Sequence, residues 1–513
     1  MNYIMNEKKL SRQQNSILNS SVIVVSRIIQ LFLTFVVRTV LIRYFGVSVL
    51  GLDGLFSSIL SVLSLADLGL NTAVIYSLYK PLADNNKEKT SAYISLLQRL
   101  YTIIGSVVFI LGIALIPVLP FIINLPENLP HIYLYYILSI LNTTISYYLS
   151  SRRIIFEADQ KLRTVTIVDM TTNICLQISQ VIIIILWAEY GWVLLSRIIG
   201  TILSNLIIFS LGNKDYPFLA KYRNEKLSLK EKKMLIKNTG AIVCHKVGTV
   251  FVTGTDQLII STFISTVQSG LYSNYLTIFN GVMYFITYSI NSLIPSIGNL
   301  KAETDNIEHQ YSIFEMVFCI NFIMSSFSTI MLFCLVNPFI NLWLGTEYSL
   351  NQTVVAVLCI NFYISTMRFG VGAFTTAAGL FKETLIKPIA ESMINVVVSI
   401  ILVKSVGLLG VFLGTTASLV FGSVWVDPVI LYRKWFNRSS YKYFIEYIAL
   451  FGITSMASLG VSHLCTIIFH TMTIMSFFGR TIFGIICASA FSILVSSTLP
   501  GFKPLLSRLV KKQ

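Results

Sequence analysis

The stretch from Ser20 to Phe45, SSVIVVSRIIQLFLTFVVRTVLIRYF, is long and apolar enough to cross a bilayer, yet it carries Arg27 and Arg38 within its length. A hydrocarbon core of roughly 30 Å takes about 20 helical residues at 1.5 Å each. Each helical residue turns by about 100°, so Ser20, Arg27, Thr34 and Arg38 fall within roughly 20° of one line and share a face. A cation inside a membrane helix is expensive, from about 2.5 to over 10 kcal/mol, unless it faces protein or water. The pattern returns 219 residues later as Thr239, Lys246, Thr253 and Gln257 on a second apolar helix. A cationic stripe built twice points to an internal aqueous cavity that receives something negatively charged.

The rest of the chain agrees with a membrane setting. Of its 513 residues 55% are hydrophobic and only 12% charged, with a mean hydropathy of +0.75; soluble domains carry about 25% charged residues. The expectation is an all-α, polytopic membrane protein with fourteen transmembrane helices. They fall near residues 17–44, 50–79, 92–118, 131–151, 164–186, 191–212, 239–262, 270–298, 312–335, 353–379, 385–403, 408–431, 445–469 and 478–499. The apolar stretch after the polar residues 1–16 is too long and too interrupted by arginine for a cleavable signal, so the N-terminus is expected to remain attached.

The net charge of +15 does not imply nucleic acid, because the cations lie in alternate loops. Lys8, Lys9 and Arg12 precede the first span, Lys80, Lys87 and Lys89 follow the second, and Arg152, Arg153, Lys161 and Arg163 follow the fourth. Residues 213–238 are densely basic; Lys382, Lys387, Arg433, Lys434, Arg438 and Lys442 continue the alternation, and Lys503, Arg508, Lys511 and Lys512 close it. The opposite side holds Arg43, Lys404 and Arg480. Both termini are therefore expected inside the cell.

Further matches at the same shift, Gly51-Leu52 with Gly270-Leu271 and Gly191-Trp192-Val193 with Gly410-Val411-Phe412, extend the repeat. With six spans per copy the halves enter the membrane in the same orientation, the parallel-repeat plan of transporters with a site between two lobes. The expected organisation is a cytoplasmic segment 1–16, an N-lobe 17–212, a basic cytoplasmic linker 213–238, a C-lobe 239–432, and two further helices with a tail over 433–513.

No enzyme signature is present: the chain has neither a G-x-x-x-x-G-K loop nor H-E-x-x-H. No stretch outside the membrane exceeds about 25 residues, against the roughly 100 of a typical domain. The seven cysteines lie in apolar segments without C-x-x-C spacing and read as core packing, so no metal and no cofactor is expected.

The chemistry then falls to residues inside the helices. Arg27 lies about 15 Å into the first span, where it either holds a phosphate-like group of a substrate or neutralises Asp67. Arg38, on the same face, either joins it or snorkels outward. Asp53, Ser57, Ser64, Asp67 and Asn71 give the second span a wet face. Asp67, with Asn71 on the same face, either binds a coupling proton or sodium ion or pairs with Arg27, and Asp256, beside Gln257, has the same two readings. The candidate substrate contacts are Arg27, Thr34, Arg38, Lys246, Thr253, Gln257 and Arg368, the last beside Gly370 and Gly372; the candidate ion-coupling residues are Asp67, Asn71 and Asp256. Asp169, Arg197 and Asp427 lie nearer helix ends and are expected to be solvated at the interface, His245 to pack, and Pro295 to bend the eighth span.

Three stretches carry a family resemblance: Gly51-Leu52-Asp53-Gly54-Leu55-Phe56, Ser64-Leu65-Ala66-Asp67-Leu68-Gly69-Leu70 and Tyr76-Ser77-Leu78-Tyr79-Lys80-Pro81-Leu82-Ala83, with Ala158-Asp159-Gln160-Lys161 further on. The chain resembles the polysaccharide repeat-unit flippases of the superfamily that also holds multidrug and toxin extruders and lipid II flippases. That resemblance implies movement of an undecaprenyl-pyrophosphate-linked oligosaccharide from the inner to the outer leaflet by alternating access, with first-helix cations at the cavity, here Arg27 and Arg38. The implied partners are this lipid-linked oligosaccharide, membrane lipids, and a polysaccharide polymerase with other assembly proteins. A drug exporter of the same fold is the first rival, but its lumen should be acidic and aromatic. A membrane polymerase is the second, but the outer connection over 336–352 offers only Glu347 as a charged residue.

Overall fold

The computed structural model describes residues 12–64, 70–123, 131–148, 150–233, 235, 254–380, 383–384, 386–471 and 473–510. The described residues are helical throughout, without strands, and divide into two compact units, Met1–Val250 and Phe251–Gln513. Ten described helices are long and apolar enough to cross a membrane.

The first unit is built from α1 (Arg12–Phe45), α2 (Val47–Leu63), α3 (Leu70–Ala83), α4 (Lys87–Ala114), α5 (Ile132–Tyr147), α6 (Ser151–Ala158), α7 (Leu162–Trp187) and α8 (Tyr190–Asp215). Gly46 separates α1 from α2 at φ 77°, in the left-handed region that a residue without Cβ enters without strain. Asn86 starts α4 by accepting from the Lys89 amide at 2.9 Å, satisfying one of the donors a helix start leaves open. α1 packs on α7, α7 on α8, and α8 on α5. The second span, read as one helix over 50–79, is described as the two pieces α2 and α3, with 65–69 outside the described residues. The motif residues Leu52, Leu55 and Phe56 are core, and Phe56 meets Tyr136 with ring centroids 5.2 Å apart. That part of the signature records packing.

The basic segment after α8 is packed rather than loose. Leu219, Leu227 and Leu235 join the core cluster of the first unit, and the Ser91 hydroxyl reaches the carbonyls of Leu219 and Tyr222 at 3.2 and 2.9 Å. Tyr216 donates to Asp159 at 2.7 Å; this bond and burial push the phenol well above its usual range. The leucines between the lysines have an apolar face to bury, so the segment up to residue 235 belongs structurally to the first unit.

The second unit contains α9 (described over 254–263), α10 (Thr266–Asn291), α11 (Ile294–Glu303), α12 (Ile307–Trp343), α13 (Gln352–Ala377), α14 (Ile386–Val406) and α15 (Leu408–Ser418). A π-helical turn (Leu419–Ser423), α16 (Val426–Leu431) and a second π-helical turn (Tyr432–Phe436) continue the line, followed by α17 (Tyr441–Ile468), α18 (Ile474–Ser496) and α19 (Phe502–Val510). Ser265 and Asn306 cap α10 and α12 by accepting from Gln268 and His309 amides at 3.2 and 3.1 Å. The eighth span is interrupted rather than continuous: α10 stops at Asn291, and Pro295 sits in the first turn of α11, where its missing N–H is no loss. α14 and α15 approach so closely that a Cβ on Gly410 would strike the Leu402 carbonyl, and one on Gly414 would strike Ser399. Cys319, Cys334, Cys359 and Cys465 are buried as expected. Cys175 is a correction: it is exposed on α7, whose apolar outer surface needs no protein against it in lipid. Cys244 lies outside the described residues.

Candidate functional site

Two of the cavities among the described residues of the first unit lie in the polar space between its helices. The one nearer the α1–α2 turn, outer in the topology that the loop charges predict, has about 280 Å³ and is lined by Asp53, Ser57, Ser61 and Ser64 of α2 and its end, by Ser139, Asn142 and Thr143 of α5, and by Arg197 of α8. Asp53, Ser57 and Ser64 thus share a wet face as their spacing predicts. Arg197 donates to Asp53 Oδ1 at 2.5 Å, and the Tyr190 hydroxyl donates to the same oxygen at 3.0 Å. Arg38, half-buried on α1, lies within electrostatic reach of both Asp53 and Arg197. Arg197 therefore pairs with Asp53 in the wall of a hydroxyl-lined space, and Arg38 is a second cation within electrostatic reach of that pair. An opposite charge in a low-dielectric site is attracted far more strongly than in water.

The inner cavity, about 480 Å³, is lined by residues of α3 to α8 that include Asn71, Tyr101, Arg153, Asp169, Asn173 and Ser204. Arg153 grips Asp169 with both ends, at 2.7 and 2.9 Å, and reaches Ser204 at 2.7 Å and Asn205 at 3.2 Å. A hydrogen bond of 2.8 Å from Thr201 to Asn142 separates the two spaces, since Asn142 lines the outer one and Thr201 the inner. In the second unit Asn361, the counterpart of Asn142 at the 219-residue shift, accepts instead from Thr416 at 2.7 Å, while Thr201 corresponds to Val420.

The charges are not repeated. At the same shift Asp53 and Arg197 correspond to Tyr272 and Thr416, so both members of the pair are exchanged together. Conversely, Asp256 on α9 is only 5% exposed, and Thr415 donates to its two oxygens at 3.3 and 3.1 Å. Asn395 joins them, donating to Thr415 at 3.0 Å and accepting from Thr255 at 3.1 Å. Among the described residues no cation pairs with Asp256, and its first-unit counterpart is Val37. Each unit thus carries a polar cluster the other lacks.

The remaining candidates are placed as follows. Arg27 is exposed on α1 and lines neither cavity, while Thr34 is half-buried and donates to the Gln30 carbonyl at 2.8 Å, within its own helix. Asn71 lines the inner cavity and accepts from Tyr101. Gln257 is half-buried on α9. Arg368 is held by Glu391 at 3.3 Å, and Glu391 also accepts from Ser423 in the first π-helical turn. Lys246, Thr253, Asp67 and His245 lie outside the described residues. Three sequence expectations are corrected: Asp169, Arg197 and Asp427, expected at a solvated interface, are instead bonded to Arg153, Asp53 and Lys387. Each has a partner on a neighbouring helix, which is cheaper than reaching for water from inside the bundle. Sequence reading passed over Arg153 as a loop cation and Arg197 as an end cation; the joint loss of Asp53 and Arg197 from the second copy was the available signal.

The family model described as polysaccharide biosynthesis protein matches residues 16–301. The chain belongs to this family. Among solved structures, the lipid II flippase MurJ in its inward closed conformation is similar, with 18% identity, a TM-score of 0.67, and coverage of 93% of this chain and 98% of that one. An inward-facing multidrug-resistance transporter of the MATE family, MOP superfamily, has 15% identity, a TM-score of 0.62, and coverage of 77% and 93%. A MOP superfamily transporter from Pyrococcus furiosus Vc1, described by the reverse polarity of its binding pocket, has 13% identity, a TM-score of 0.51, and coverage of 82% and 96%. None of the curated proteins matches in sequence. At these identities the likeness is one of fold. This member of the polysaccharide biosynthesis family is a multi-pass membrane protein, and the solved structures it is similar to in fold are transporters and a flippase.

Proposed function

We propose that this protein moves an undecaprenyl-pyrophosphate-linked oligosaccharide from the inner to the outer leaflet of the cell membrane by alternating access, as a transporter and not an enzyme. In this reading residues 17–212 and 239–432 act as two lobes of six spans, the two last helices lie outside the repeat, and both termini are cytoplasmic. The observation that carries the reading is Arg197, bonded to Asp53 in the wall of a cavity lined by hydroxyls and an amide, with Arg38 within electrostatic reach of the same pair. A pyrophosphate offers only acceptors and negative charge, and guanidinium groups match it with paired donors. The family match and the flippase fold support a lipid-linked saccharide over a drug, which would favour an acidic lumen. Arg27, exposed on the same helix, serves as a first contact for the headgroup.

Cells lacking the protein are expected to accumulate lipid-linked oligosaccharide on the inner face. Arg38→Ala, made at normal levels, should fail to relieve the build-up while Arg38→Lys relieves it in part. A fully active Arg38→Ala variant removes Arg38 from the site.

Asp256 with Thr415 and Asn395 is the coupling site in this proposal, taking a proton or sodium ion in the second unit. A dianionic headgroup leaving the negative cytoplasmic side is also driven by the membrane potential, by about 2.3 kcal/mol per charge per 100 mV. Asp256→Asn should therefore abolish stimulation of transport by an imposed ion gradient while leaving the response to potential. Transport in vesicles by Asp256→Asn that still follows the ion gradient excludes this role.

A further inference from the structure

We infer that the inner cavity of the first unit is a saccharide-binding subsite, distinct from the cationic site around Asp53. The inference rests on the flippase reading and goes beyond it by assigning the sugar to particular side chains.

The argument begins with where the hydroxyl protons go. Ser146 and Ser150 donate to the Thr143 and Tyr147 carbonyls at 2.7 and 2.8 Å, and Thr172 donates to the Val168 carbonyl at 2.8 Å. Thr201 donates to Asn142 at 2.8 Å, and Ser204 to Asp169 at 2.7 Å. A hydroxyl has one donor and two acceptor lone pairs, so with their protons engaged all five act as acceptors, Ser204 with one lone pair already taken by Arg153. Arg153 engages all three of its nitrogens with Asp169, Ser204 and Asn205. Asn173 directs its amide N–H to the Asp169 carbonyl at 2.8 Å, which leaves its oxygen as the remaining acceptor. The charged lining residues are Arg153, Asp169 and Glu157, and the one cation among them is taken up by Asp169.

Such a wall has little to offer a pyrophosphate, which has no protons to give, and suits a ligand made of hydroxyl donors. Asn71 completes the match: its oxygen accepts from Tyr101, so its amide N–H groups supply the donor that a sugar ring oxygen needs. Tyr101 and Tyr147, with ring centroids 6.0 Å apart, back the cavity from the core of the unit. The volume of about 480 Å³ lies within the range of small-molecule sites. The chemistry thus divides within one unit, with cations and anion affinity in the outer cavity and acceptors in the inner one.

The test compares two probes on the purified full-length protein in lipid nanodiscs: lipid-linked oligosaccharide isolated from the producing cells, and undecaprenyl pyrophosphate bearing no sugar. Asn173→Leu should weaken the sugar-bearing probe by about tenfold or more, the scale of a lost hydrogen bond with an unsatisfied partner, and leave the sugar-free probe unchanged. Asn173→Asp, which keeps an acceptor, should retain binding of both. If Asn173→Leu binds neither probe, Thr172→Val, of the same shape, carries the same comparison. Partial but equal losses for both probes in Asn173→Leu, equal losses in Thr172→Val, or no loss for either probe overturn the inference. So does a shift in tyrosine fluorescence driven by sodium chloride alone and absent with choline chloride, which makes the acceptor wall a cation site. A wild-type protein that binds the two probes equally sinks the subsite and spares the flippase reading; one that binds neither sinks both.

Discussion

Arg197→Gln is expected to lower transport by about ten- to a hundredfold without a matching loss of protein, because it removes one of the two cations that face Asp53. Hydrogen bonds to charged groups contribute about 1.5–3 kcal/mol, and 1.4 kcal/mol is a factor of ten. The pair is only partly covered, with Arg197 and Asp53 side chains 26% and 27% exposed, so water can still reach the remaining carboxylate and the fold should survive. The decisive comparison is with Asp53→Asn. If the pair only holds α2 to α8, the two single variants should be similarly impaired and the double variant should recover. If the arginines serve an anion, Asp53→Asn keeps both cations and should stay active, while Asp53→Asn with Arg197→Gln remains defective. Transport assays on the three variants, normalised to the amount of protein in the membrane, separate the two cases.

Lys387→Met is expected to have the largest effect on stability. Lys387 and Asp427 side chains are 10% and 9% exposed and bonded to each other, with the Arg368 and Glu391 pair beside them. Removing one partner leaves a buried charge uncompensated, at about 3–5 kcal/mol. Thermal unfolding of the detergent-solubilised protein should show a clearly lowered midpoint for Lys387→Met. The double variant Lys387→Met with Asp427→Leu should recover most of it, since replacing both charges removes the desolvation penalty along with the attraction. A single variant as stable as wild type shows that the charges are hydrated in place. Arg368 is a weaker case, with a longer contact of 3.3 Å to Glu391.

The helices and their polar faces were legible in the sequence because periodicity is a local property. Asp53, Ser57 and Ser64 lie on one wall, as an offset of a few residues predicts. The pairings were not legible, because a helical face names no neighbour. Arg153 finds Asp169 across the turn from α6 to α7, and Arg197 finds Asp53 on an element 144 residues away. Distance from a helix end suggested water for Asp169, Arg197 and Asp427, but each found an opposite charge at the same depth on an adjoining helix. The clearest trace of these pairs lies in the comparison of the two copies, where Tyr272 and Thr416 replace Asp53 and Arg197 together.

The turn at Leu419–Ser423 closes with a bond from the Val424 amide to the Leu419 carbonyl at 2.9 Å, one residue wider than a regular helical turn. Each surplus residue rotates everything downstream by about 100°. α8, its relative in the first unit, runs without such a widening. Counting by 219 therefore loses helical phase beyond Ser423, where Asp427 reaches Lys387. Deleting one residue from the widened turn would swing Asp427 by about that angle off its partner, so the surplus residue sets where this end of the second unit aims its charge.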